Sequence, residues 1–217
     1  MVDAIRSEPQ GWMVSIDSGE TLAALRLVLA IGVADELPGI PGMAERWGKS
    51  VFHCPYCHGY ELDSGRIGVV ATGPMAFHQA MLLPDWGSVT LFTNGAYDPD
   101  TLELTRLRDR QVVLETTTIE QLVGAAGVKL LDGRVIDLDG LFTMSRTRPA
   151  TDLASSLGCA LEEGPLGQFI ATGATRETSV PGVFACGDAA RAAGSVALAV
   201  GDGTMAGVAT HQSLVFR

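Results

Sequence analysis

Two cysteines two residues apart, with a histidine on either side, carry the densest chemistry of the chain: His53-Cys54-Pro55-Tyr56-Cys57-His58. Thiols at this spacing close a small disulfide and exchange with other disulfides through a mixed-disulfide intermediate. Attack needs a thiolate, which a nearby proton acceptor or positive charge favours, and the two histidines supply groups that titrate near neutrality. Cys54 is expected to be the accessible nucleophile, His58 to move the proton, and Pro55 to restrict the loop. Other chemistries share these letters. Cys-x-x-Cys-His also attaches haem, but covalent haem goes with export, and the run from Met1 to Glu8 has no apolar signal core. Zinc needs two further ligands, and neither a second Cys-x-x-Cys nor a His-x₃₋₅-His spacing is present, so no metal ligand is assigned. Two inert buried cysteines are the plain alternative. Cys159 and Cys186 stand alone, and His78 and His211 have no motif around them.

Two glycine turns come next. Ile67 to Ala71 is an apolar run followed by Thr72-Gly73-Pro74-Met75-Ala76, the strand–turn–helix setting in which backbone N–H groups approach a pyrophosphate. Gly73 and Ala76 fit G-x-G-x-x-G/A, Ala71 replaces the first glycine, and an ordinary turn between strand and helix fits equally. At the end of the next strand, Thr93-Asn94-Gly95 offers neither an acid for a ribose nor an arginine for a 2′-phosphate. Arg106, Arg108 and Arg110 read as a solvated helix face. The second turn, Gly187-Asp188, ends a short apolar strand ahead of a small-residue helix. A carboxylate there can accept from a sugar-alcohol hydroxyl; it can equally cap a helix.

The elements that must position these residues follow from periodicity. Trp12–Ile16 and Thr21–Leu25 predict a hairpin, and Leu27–Ile31 a buried strand. Ile67–Ala71, a helix to Leu83, Val89–Thr93, a helix around 102–110 and Val112–Leu114 give a β-α-β-α-β order, hence a parallel sheet with right-handed crossovers. Thr118 to Thr143 predicts a small meander, and Ser195 to Leu214 a helix that packs closely. Breaker-rich Leu37 to Gly42 and Arg146 to Pro149 are the candidate boundaries. The 217 residues are 47% hydrophobic with a net charge of −10, enough apolar content for a core without staples. No basic stripe is present and no apolar run reaches a membrane span, so neither nucleic acid nor membrane is expected as a partner. A cytoplasmic setting is expected, where a lone Cys-x-x-Cys points to redox chemistry rather than scaffolding.

Together these residues resemble the low-molecular-weight thioredoxin reductase family, FAD- and NAD(P)-dependent pyridine nucleotide-disulfide oxidoreductases, and its dithiol-oxidase-like branch. Cys54-Pro55-Tyr56-Cys57-His58-Gly59-Tyr60-Glu61 carries most of the likeness; Thr178-Ser179-Val180-Pro181-Gly182-Val183-Phe184-Ala185-Cys186-Gly187-Asp188 is second, and Leu29-Ala30-Ile31-Gly32 looks like the family's Ala-Thr-Gly strand end. The resemblance implies an α/β chain of two Rossmann-like, three-layer domains, the nicotinamide type inserted in the flavin type: 1–44 with 147–217 an incomplete FAD domain, and 45–146 the NAD(P)-binding-like domain with the dithiol. It implies that Asp188, after Gly187, holds the flavin ribityl chain, that Val196 and Ala197 approach the ring, that Cys57 faces flavin and Cys54 the substrate. Reductases of the family have an acid after the second cysteine; His58 there is typical of members that oxidise small dithiols. The cofactors implied are FAD and, in the reductive direction, NAD(P)H; the substrates a small dithiol or disulfide or a thioredoxin-like protein. Family members open with a G-x-G-x-x-G turn, and roughly 80 residues of that kind of front are expected to be missing here. The partner expected is a second copy in a homodimer, or a chain supplying the missing half of the FAD domain. Two other functions compete: a flavin-independent dithiol exchange protein, and a non-catalytic or defunct subunit.

Overall fold

A computed structural model describes residues 2–216; the ends of the expected domain ranges, residues 1 and 217, lie outside the described residues. The chain divides into two compact units, residues 37–145 and residues 2–36 with 146–216, the first inserted into the second.

The inserted unit is built on five parallel strands in the order Val51–Phe52, Gly140–Thr143, Arg66–Val70, Ser88–Phe92, Val113–Glu115. Its central strands read as unbroken apolar runs because both faces are covered. One face packs Ile67, Val69, Leu91 and Phe142 against Ala76, Ala80 and Leu83 of the Met75–Leu82 helix and its 3₁₀ extension, and against Leu107 of the Thr101–Asp109 helix. The other packs Val51, Val70, Phe92 and Leu141 against Leu122, Val128 and Leu130. Those residues belong to an antiparallel meander of Ile119–Val123, Gly127–Leu130 and Val135–Ile136. The Thr101–Asp109 helix begins in a complete capping box: Asp100 accepts from the Glu103 N–H at 2.8 Å, and Glu103 from the Asp100 N–H at 2.9 Å.

Two expectations shift. Gly140–Thr143, assigned from sequence to the meander, instead fills the slot between Val51–Phe52 and Arg66–Val70, because all four of its residues are buried and suit a two-faced parallel position rather than a half-exposed one. The unit also begins at Leu37 rather than at residue 45. Leu37, Ile40 and Met43 pack into the second core cluster, and the Leu122 N–H donates to the Pro41 carbonyl at 2.8 Å, so the breaker-rich segment at the boundary belongs to the core of the inserted unit.

The enclosing unit holds three pieces. Val2–Glu8, Gly11–Ile16 and Thr21–Ala24 form an antiparallel meander, one strand more than the expected hairpin. A four-stranded sheet runs Leu161–Gly164, Gly167–Ile170, Arg146–Pro149, Val33–Glu36; the enclosing unit resumes at Arg146, the start of a paired strand. Val183–Ala185 lies parallel to Leu27–Leu29, with the Val196–Val215 helix packed nearby. Leu27, Leu29, Ile170, Val183, Ala185 and Ala189 form its core. No helix among the described residues is long and apolar enough to cross a membrane.

Candidate redox site and cofactor turns

The dithiol follows directly from the sheet. Val51–Phe52 runs out into His53, Cys54 stays extended (φ −105°, ψ 110°), and Pro55 opens a single helical turn, Pro55–His58. The turn closes through the Cys57 N–H onto the Cys54 carbonyl at 3.2 Å and the Gly59 N–H onto the Pro55 carbonyl at 2.7 Å. Gly59 is required by space: a Cβ there would stand 2.8 Å from the Trp86 ring. Trp86 also meets Tyr56 edge-on, centroids 5.7 Å apart. The aromatic wall therefore sets where the turn can lie.

Both thiols are free, Cys54 half-buried and Cys57 exposed, the reverse of the expected order of accessibility. Their protonation separates them. A hydrogen bond with Cys54 pushes the Cys57 thiol up to about 11, with burial and the charges of Cys54 and Glu61 adding to it. Cys57 therefore keeps its proton at neutral pH, which disfavours it as the attacking sulfur. His58 is half-buried, stacked on Phe52 with centroids 4.1 Å apart and planes 11° from parallel. Its Nδ1 is buried with no hydrogen-bond partner. His53 is exposed, and its carbonyl accepts from Gln79 Nε2 at 2.7 Å. Sequence reasoning missed Phe52, Gln79 and Trp86; only Phe52 is near enough in the chain for a motif to have included it.

In the enclosing unit, Val183–Ala185 leads through Cys186 into Gly187, whose φ of +71° is a glycine conformation, and a 3₁₀ turn, Gly187–Ala190. The Asp188 carboxylate caps nothing in that turn. Ser195 caps the long helix instead, its Oγ accepting from the Leu198 N–H at 3.3 Å. Asp188 Oδ1 is buried with no partner, an acceptor that fits a sugar-alcohol hydroxyl. Val196, 83% exposed, and Ala197, also exposed, open the helix with apolar surface. These residues fit the ribityl and ring end of a flavin. Asp202, 1% exposed, anchors the following segment: Arg191 donates to both carboxylate oxygens and Arg176 stands 2.7 Å from Oδ1. The Arg191 hydrogen bond, chiefly, holds the Asp202 carboxyl below the usual range.

The glycine turn of the inserted unit offers less. Pro74 has no N–H, and those of Ala76 and Phe77 bond to the Gly73 and Pro74 carbonyls at 3.1 Å each. That leaves at most the Met75 amide of the first turn for a pyrophosphate, a thinner cradle than the letters at Gly73 and Ala76 suggest. Polar groups at the neighbouring strand ends are committed: Asn94 Oδ1 accepts from the Ile119 N–H at 2.9 Å, and Glu115 accepts from Arg134 and the Thr117 N–H.

Known proteins agree on the kind of molecule. Residues 4–203 match the family described as pyridine nucleotide-disulphide oxidoreductase. The chain is 34% identical over 220 residues to thioredoxin reductase tcpT of Claviceps purpurea, covering 95% of this chain and 68% of that one. It is 32% identical over 210 residues to thioredoxin reductase aclD of Aspergillus oryzae, covering 91% and 67%. Among solved structures, an oxidoreductase from Agrobacterium tumefaciens superposes with a TM-score of 0.94 at 54% identity, covering 99% of this chain and 73% of that chain. The chain thus spans about two thirds of the length of these fungal relatives.

Proposed function

Because the chain belongs to the pyridine nucleotide-disulphide oxidoreductase family, with thioredoxin reductases among its relatives, we propose that it is a flavin-dependent thiol–disulfide oxidoreductase working through Cys54 and Cys57. The family uses FAD and NAD(P)H. The observation that carries the reading is two free thiols, Cys54 and Cys57, set at either end of one helical turn that follows an apolar strand.

His58 in place of an acid supports dithiol oxidation as the working direction. With the Cys54–Cys57 disulfide formed, a substrate thiolate attacks the Cys54 sulfur, the bond between the cysteines breaks, and Cys57 leaves as a thiolate that takes a proton from His58. The second substrate thiol gives its proton back to His58 and attacks the substrate sulfur of the mixed disulfide, releasing Cys54 as a thiolate that takes up the proton the first substrate thiol had released to solvent. The substrate has lost two electrons and two protons to become a disulfide, and the enzyme pair has gained them as two thiols. Flavin, when bound, supplies two-electron exchange with the pair. Gly187, Asp188, Val196 and Ala197 would hold its ribityl and ring end, and Gly73 and Ala76 a dinucleotide only weakly. Substrates are small dithiols or disulfides or a thioredoxin-like protein.

The test is direct. In glutathione redox buffers the purified chain should form the Cys54–Cys57 disulfide reversibly, read by alkylation and peptide mass. On the reduced wild-type chain at neutral pH, limiting iodoacetamide should alkylate Cys54 about tenfold more than Cys57, an expected ratio set by thiolate availability. A pair that stays reduced throughout the range sinks the reading, and the opposite rate order reverses the roles of the two sulfurs.

A further inference from the structure

Gln79 lies on the Met75–Leu82 helix and is 1% exposed, yet its carboxamide reaches the peptide immediately ahead of the dithiol. Nε2 donates to the His53 carbonyl at 2.7 Å, across 26 residues of chain. A carbonyl only accepts, so the amide must turn its nitrogen toward it. That choice leaves Oε1 buried without a partner, an arrangement that is itself destabilising. A methionine of similar length would fill the same space with no orphaned acceptor. What glutamine adds here is the tether. The His53 side chain is exposed, so its peptide gains little from side-chain burial.

We propose that Gln79 is a positioning residue for the dithiol: by gripping the His53 carbonyl it fixes the peptide from which Cys54 departs, and so sets how readily Cys54 and Cys57 close to a disulfide. The proposal rests on the redox reading of the pair. Closure converts two thiols to one S–S bond, with two electrons and two protons passing to glutathione disulfide, which becomes two glutathione thiols. A pre-oriented Cys54 raises the effective concentration of one sulfur at the other; releasing the peptide lowers it.

The experiment measures the oxidation equilibrium of the whole chain in glutathione buffers for wild type, Gln79→Met and Gln79→Glu. Methionine keeps length and removes the donor; glutamate keeps shape and removes the donor at neutral pH. Each folded variant should favour the dithiol by about tenfold over wild type, about 30 mV for a two-electron couple, with urea midpoints followed alongside. A folded variant whose equilibrium stays within about twofold of wild type, a fold-change too small for a lost pre-orientation, overturns the proposal. Should one variant fail to fold, the other decides; failure of both would assign Gln79 to the core alone and overturn it too. A wild-type pair that never oxidises would instead sink the redox reading, so the two failures are distinguishable.

Discussion

Two turns of this chain share one plan: an apolar parallel strand, a glycine turn, then a helix. In the inserted unit the plan is Arg66–Val70, Gly73 and Met75–Leu82; in the enclosing unit it is Val183–Ala185, Gly187 and Val196–Val215. They differ in polar bookkeeping. At the first, the Ala76 and Phe77 amides, Asn94 and Glu115 are bonded within the chain. At the second, a carboxylate oxygen is buried with nothing to accept from, beside a charge cluster in which Arg176 and Arg191 both pair with Asp202. The same backbone pattern can be a finished piece of core or a site held ready for a ligand. The unpaired atom at the turn itself tells them apart, because a fold tolerates an orphaned buried acceptor only where something else compensates for it; the orphaned Gln79 Oε1 of the first helix goes instead with the grip on the His53 carbonyl.

The largest expected effect breaks the second turn at its anchor. Asp202→Ala removes the partner of both Arg176 and Arg191 from a position 1% exposed. Stranding charges in this way typically costs about 3–5 kcal/mol, toward the lower end where arginine can regain water. Urea unfolding should show that loss, and a change below about 1 kcal/mol, the range of exposed pairs, would mean the cluster anchors nothing.

A smaller effect, of opposite sign, sharpens the comparison. Asp188→Ala removes the orphaned acceptor, and relief of an unsatisfied buried group should stabilise the flavin-free chain by about 1 kcal/mol. The same change should weaken retention of added flavin by about tenfold or more, the discrimination expected when one hydrogen bond to a charged group is lost. Fluorescence titration with FAD and a urea series on the free chain read the two halves separately. A destabilised free chain would show that Asp188 has a structural partner after all, and unchanged flavin retention would remove it from the site.

Much of the scaffold was legible because its signals are local. The strand–helix alternation from Ile67 to Leu114 survives with shifts of a residue or so at each strand, since continuous apolar runs and a capping box at Asp100 and Glu103 leave little choice. The two thiols could be singled out together because only two residues separate Cys54 from Cys57. Gly140–Thr143 was misplaced because an apolar strand does not announce its neighbours; only the assembled sheet shows the slot beside Arg66–Val70. Gln79, Trp86, Arg176 and Asp202 were invisible for a related reason. Each acts on residues brought to it by the fold, Gln79 across 26 positions, and nothing in its own neighbourhood of sequence marks the contact. The accessibility of the two thiols was misjudged because spacing says nothing of which sulfur the Pro55–His58 turn points outward.

The smallest effect tests the first turn, where polar groups are internally committed. Glu115, its carboxylate 12% exposed, is 2.7 Å from Arg134. The Arg134 hydrogen bond, opposed by burial and helped by Thr117, lowers its pKa from 4.5 to about 2. A depressed carboxylate stabilises the fold fully above its unfolded value and loses that contribution as pH falls toward the folded one. The urea midpoint of the wild-type chain should therefore drop between pH 4.5 and about 2 by more than that of Glu115→Gln, the two curves drawing together at the acid end. Arg134 is half in water, so the difference should be modest and should shrink in high salt. Parallel curves across the window would show that the Glu115 contact contributes nothing, and that this strand end is as open to a ligand as the turn at Asp188.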